Sequence, residues 1–136
     1  MKKNLLPALL LLLSGLFAGG CSQDNPLAPF EPEIVNDADA FQFQITGATD
    51  VTVTRSYTWA NPAAGATIDH STFRTDGSAT VVLYDADGTE VYRSALKASG
   101  LEQSDPGVAG NWVVKIILSS FDGTANFRVE KMEIAP

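Results

Sequence analysis

One cysteine and one histidine in 136 residues leave this chain short of the side chains that most metal and disulfide chemistry requires. An intrachain disulfide is excluded, and there is no Cys/His set with the spacing that holds zinc. Glycine-rich phosphate loops and a Gly-x-Ser-x-Gly turn are absent as well, so neither nucleotide chemistry nor an esterase-type nucleophile is expected. Positive charge is scarce: nine Lys and Arg stand against sixteen Asp and Glu, for a net charge of −7. An acidic surface repels phosphate backbones, so nucleic acid is excluded as a partner, and a polybasic grip on anionic lipid is excluded with it. Helical periodicity is missing too. Past the first twenty residues, no stretch sustains the 3.6-residue apolar spacing of an amphipathic helix.

What the chain does have begins at its N-terminus. Lys2-Lys3 precede a Leu-rich run from Leu5 to Phe17, followed by the small residues Ala18-Gly19-Gly20 and then Cys21. A basic start, an apolar centre and small residues before a cleavage point are the parts of a secretory signal peptide. The apolar run falls short of the roughly 18 to 20 residues that span hydrocarbon. A lone thiol at the first mature position adds a second meaning. The segment resembles the lipobox of bacterial lipoproteins, which implies alkylation of the Cys21 sulfur by a diacylglyceryl group and cleavage between Gly20 and Cys21. The resemblance implies a membrane partner reached through covalent lipid, and a place in the bacterial cell envelope. Ser22 stands where some lipoproteins carry the Asp that retains them in the inner membrane, which points to the outer membrane.

Removing residues 1–20 leaves 116 residues, enough for one domain, with seven cations against sixteen carboxylates and a net charge of −9. Pro26, Pro29 and Pro32 recur every third residue between Ser22 and Val35. That spacing disfavours regular helix and favours an extended polyproline II spacer, so residues 21–35 are expected to form a tether of roughly 40 Å. The expected organisation is therefore a signal peptide at 1–20, the acylated cysteine and tether at 21–35, and a folded domain at 36–136.

From Asp39 onward the apolar pattern has period two, with turn residues every eight to twelve positions. This predicts an all-β fold, a single antiparallel β-sandwich of about seven strands. Phe41, Phe43 and Ile45 share one face; Val51, Val53, Tyr57 and Trp59 share another, with Arg55 intruding on it. Asp87-Gly88 predicts a hairpin with Leu83 opposite Val91 and Val82 opposite Tyr92. Asp122-Gly123 predicts a second one, pairing Leu118 with Phe127 and Ile116 with Val129. Gly110-Asn111-Trp112-Val113-Val114 is similar to a strand of pre-peptidase C-terminal and related jelly-roll modules. Asn36 to Phe43, Tyr57 to Asn61, Asp85 to Gly88 and Asn126 to Glu130 resemble small bacterial β-sandwich lipoproteins. These likenesses imply a jelly-roll or Ig-like sandwich and no particular reaction.

Chemistry-bearing residues read mostly as structure. Asp69-His70-Ser71 has the letters of a hydrolase triad, but neighbours on a strand point to opposite faces, and His70 is expected at a surface or an edge. No enzyme activity and no cofactor are expected. Calcium prefers six to eight oxygens. Asp37, Asp39, Asp85, Asp87 and Glu90 are the candidates, with turn formation the favoured role for the Asp residues. Tyr84 and Tyr92 are the aromatics least committed to the core and are the candidate glycan contacts. Two classes follow: a non-enzymatic, lipid-anchored envelope module working through protein contacts or as a structural component, and a glycan-binding or calcium-assisted binding module.

Overall fold

The computed structural model describes residues 25–135. The expected signal segment and Cys21 lie outside the described residues. Among the described residues there are six strands: β1 (Glu33–Asn36), β2 (Ala40–Asn61), β3 (Gly65–Tyr84), β4 (Glu90–Ala95), β5 (Gly100–Gln103) and β6 (Gly110–Met132). All pairings are antiparallel. They run in the order β1-β2-β6-β3-β4, with β5 on the free edge of the first half of β3.

Three of these strands are too long for a flat sheet, and their register requires them to fold back. Straight, the 23 residues of β6 would span about 75 Å. Yet Asn61 pairs with Gly110 at one end of β6 and Gly65 pairs with Met132 at the other. Asn61 and Gly65 are four residues apart, at most about 14 Å of chain, so the two ends of β6 come within about 25 Å. The rings of Phe41 and Tyr57, both on β2, meet at 5.2 Å for the same reason. The result is a β-sandwich. One layer contains β1, the first halves of β2 and β3, the second half of β6, and β5; the other contains the remaining halves and β4.

The corners lie at residues 45–53 of β2, 74–78 of β3 and 118–124 of β6, where the register slips. Gly47, Gly77 and Gly123 take positive φ there, together with Asp50 and Ser120. A Cβ at Gly77 would strike the main-chain oxygens of Ser119 and Ser120, and one at Gly123 would strike the carbonyl oxygen of Phe73. Both glycines therefore let β3 and β6 turn the corner in contact. Asp122-Gly123 is thus a corner within one strand and not a hairpin tip. Leu118 pairs with Val53 and Ala79, and Phe127 with Phe43 and His70, instead of with each other. The hairpin at Asp85–Thr89 exists, with Gly88 at φ 81, but a bulge after Leu83 places Leu83 opposite Tyr92 and Val82 opposite Arg93. That register is one residue off the expected one, because the loop closes through Asp85 N–H to Thr89 O.

The inward rows fill one continuous core. Phe41, Phe43 and Phe127 cluster with ring separations of 5.7 to 6.1 Å among the pairs that Phe127 makes. Trp59 and Trp112 face each other edge-on at 6.1 Å, and each indole N–H finds a carbonyl, Asp37 O and Val108 O respectively. Arg55, on the apolar row, is half-buried and escapes by donating to Asn25 Oδ1.

That last contact belongs to a segment whose structure departs from the extended spacer. Asn25 caps a turn, Ala28–Phe30 forms a short 3-10 helix with Pro29 in its first turn, and β1 pairs with β2. Leu27 is only 2 % exposed and belongs to the core. Among the prolines, Leu27 and Phe30 supply the apolar surface that folds this segment back. Within the described residues, the stretch from Asn25 to Asn36 packs on the strands that follow it instead of standing off as an extended spacer.

Candidate functional site

The candidate carboxylates are mostly occupied with holding turns. Asp37 Oδ1 accepts from the N–H groups of Asp39 and Ala40, both at 2.9 Å, and these bonds hold its pKa below the usual carboxylate value. Asp85 works harder. Its Oδ2 accepts from Val108 N–H and its Oδ1 from Asp87 and Thr89 N–H, tying the β3–β4 turn to the segment that leads into β6. Those donors, the Val108 N–H first, lower its pKa. Asp39 pairs with Lys131 at 2.6 Å, and the Glu90 carboxylate accepts from Nε and Nη2 of Arg93. Asp87 is exposed at the turn. Among the described residues, no three His, Cys, Asp or Glu side chains gather to hold a metal.

The two candidate glycan tyrosines do not form a platform. Tyr92 pairs with Leu83 on the inward side and is buried, whereas Tyr84 lies on the opposite side, paired with Glu90. The Tyr92 hydroxyl donates to Glu102 Oε2 at 2.7 Å; burial and that carboxylate push its pKa up, so it serves as a donor between β4 and β5.

His70 is 2 % exposed rather than at the surface. It lies in the inward row of β3 with Ile68 and Thr72, while Asp69 and Ser71 face solvent. Its Nε2 approaches Glu102 Oε1 at 3.9 Å, and neither ring nitrogen has a hydrogen-bond partner among the described residues. Space for the ring exists because residue 100, directly opposite on β5, is glycine. A Cβ there would lie 2.5 Å from His70 Nε2. Asp69, His70 and Ser71 are therefore split between two faces and do not converge on one reacting point.

Three surface features remain among the described residues, one of them an apolar groove of about 460 Å³ lined by Ala38, Ala60, Pro62 and Ala109. On the solvent side of the first layer, Gln42, Asp69, Ser71, Asn126 and Arg128 surround a shallow depression of about 180 Å³, in which Arg128 is paired with Glu130. Beyond it, Thr72, Phe73 and Arg74 on β3 face Ala95, the last residue of β4, and Leu96 to Ala98 across a groove of about 460 Å³. Phe73, at 70 % exposure, is the one exposed aromatic among the described residues. Sequence reasoning missed it because the alternation marks which residues share a face, not which layer edge stays uncovered. Lys97 is exposed in the same groove, and the buried Thr72 hydroxyl on its inner side has no partner among the described residues.

No family model matches this chain, and no curated protein does. Among solved structures, it is similar to a carbohydrate-binding module (CBM6cm-2) of lichenase 5A from Cellvibrio mixtus, solved with cellotriose. That match has 16% sequence identity, covers 76% of this chain and 88% of the other, and has a TM-score of 0.44. It is also similar to a glycoside hydrolase family 43 arabinoxylan arabinofuranohydrolase from Bacillus subtilis, solved with cellotetraose. There the identity is 13%, the coverage 74% of this chain and 20% of that one, and the TM-score 0.30. Neither likeness transfers a ligand or an activity to this chain.

Proposed function

We propose that this chain is a non-enzymatic, lipid-anchored binding module of the bacterial cell envelope, at the outer membrane, whose β-sandwich works beside the membrane surface. The observation that supports a place close to the membrane is the burial of Leu27, six residues after Cys21. Six residues reach at most about 22 Å, so a lipid on Cys21 would hold the domain closer to the bilayer than a tether of about 40 Å does. Acylation also disposes of an unpaired thiol in an oxidising compartment. At about 0.8 kcal/mol per buried methylene, two or more chains give stable anchoring. With Asp69 and Ser71 facing away from His70, the domain is left to act through its surface, on a protein or a glycan of the envelope.

Metabolic labelling with a fatty-acid analogue tests the anchor. The protein should carry the label, and Cys21→Ser should lose it together with membrane retention. Normal cleavage and unchanged membrane retention of the Cys21→Ser protein would refute the anchor.

A further inference from the structure

The groove between β3 and the β4–β5 connection has a composition that the rest of this surface lacks. Seven Lys and Arg lie among the described residues, and three of them, Arg93, Arg128 and Lys131, are held by Glu or Asp partners. Of the four others, two face this one groove: Arg74 and Lys97. Arg74 spends one nitrogen on Gly77 O, and neither residue forms an ion pair among the described residues. Beside them stands Phe73, with most of its ring in water. In a protein this acidic, two unpaired cations flanking an exposed aromatic ring form a local site of opposite sign.

We propose that this groove binds an acidic saccharide, with the apolar face of a sugar ring resting on Phe73 and its carboxylate held by Arg74 and Lys97. An aromatic face offers a flat apolar surface to the C–H side of a pyranose, and the guanidinium supplies paired donors that match a carboxylate. A groove of about 460 Å³ lies within the usual range for a small-molecule site. The acidic remainder of the surface sharpens the selection. An anion is attracted at the groove against a net acidic remainder, so a neutral sugar gains only the stacking and an extended polyanion without a stacking face gains only the charge.

This inference names a ligand class for the binding module proposed above and does not depend on acylation. The Cys21→Ser protein should bind as the native chain does, which separates failure of the anchor from failure of the site. The probe is a short oligogalacturonate, titrated calorimetrically against the purified full chain at low salt, beside a cello-oligosaccharide of equal length and phosphatidylglycerol vesicles. Oligogalacturonate should bind, weakening as salt rises. Phe73→Ala and Lys97→Glu, both at exposed positions, should each weaken it by about tenfold or more while the melting temperature stays near that of the native chain. Equal binding of the neutral oligosaccharide would overturn the role of charge. Binding unaffected by either substitution, or no binding of oligogalacturonate, would overturn the site. Vesicle binding that Lys97→Glu abolishes, with no oligogalacturonate binding, would reassign the groove to a lipid headgroup.

Discussion

Replacing Gly123 with alanine tests the corner that makes this sheet a sandwich. Gly123 has φ 139, a conformation open to glycine almost alone, and occupying it with alanine costs about 1 to 3 kcal/mol. A second cost is particular to this position. The new Cβ would lie 3.0 Å from the carbonyl carbon of Phe73 and 3.1 Å from Arg74 Cα, with the Phe73 oxygen nearer still. These are backbone atoms, so relief requires β3 and β6 to separate at the point where both bend. Gly88, at φ 81 in the β3–β4 turn, is the control, because nothing lies within 4 Å of a Cβ placed there. Gly88→Ala should therefore cost only the left-handed conformation, about 1 kcal/mol, or roughly 4 °C in melting temperature. Gly123→Ala should cost at least about 3 kcal/mol, a drop of roughly 12 °C or more, read by thermal melting followed by circular dichroism. Equal drops for the two variants would refute the close approach. A flexible hairpin tip at Asp122-Gly123 would give that equality.

Three further outcomes are expected. Phe127→Ala should cost about 3 to 5 kcal/mol in chemical denaturation, since its ring is fully buried against Phe41 and Phe43; a cost below half a kcal/mol would contradict the packing. Asp85→Asn should lower the melting temperature at neutral pH, because an amide cannot accept on both sides as the carboxylate does. The folded-state pKa of Asp85 lies below its ordinary 3.8, so its contribution is present above that value and lost as pH falls through the lowered one. The gap between variant and native chain should close in that acid range, and a gap that persists unchanged to the lowest pH would sink the assignment. Millimolar calcium should leave the melting temperature within about a degree, whereas a native-state site filled at a hundred times its Kd would add about 2.7 kcal/mol; a large shift removed by Asp39→Asn would restore the metal reading.

The alternation of Phe41, Phe43 and Ile45, and of Trp112, Val114, Ile116 and Leu118, was enough to mark strands and their inward rows. Side chains on a strand point alternately to two faces, and that rule is local. It also divided Asp69 and Ser71 from His70. What the local pattern left undetermined was where each long strand goes at its glycines. A glycine at positive φ serves equally well at the tip of a hairpin and at a bend within one strand, and the choice depends on partners far along the chain. Gly123 bends because β3 runs beside it at Phe73, fifty residues earlier. The same reason explains Leu27, where three prolines suggested a spacer while one leucine found a hydrophobic core built from residues that follow it. Phe73 is the converse. Its exposure, and its meeting with Arg74 and Lys97, arise from how β5 and its connection cover only part of β3. Sequence by itself determined the strand period, the acidic balance and the single cysteine behind an apolar run. Tertiary structure alone decided which turns are corners, that Leu27 is buried, and which aromatic ring is left in water beside Arg74 and Lys97, because each of these rests on contacts between residues distant in the chain.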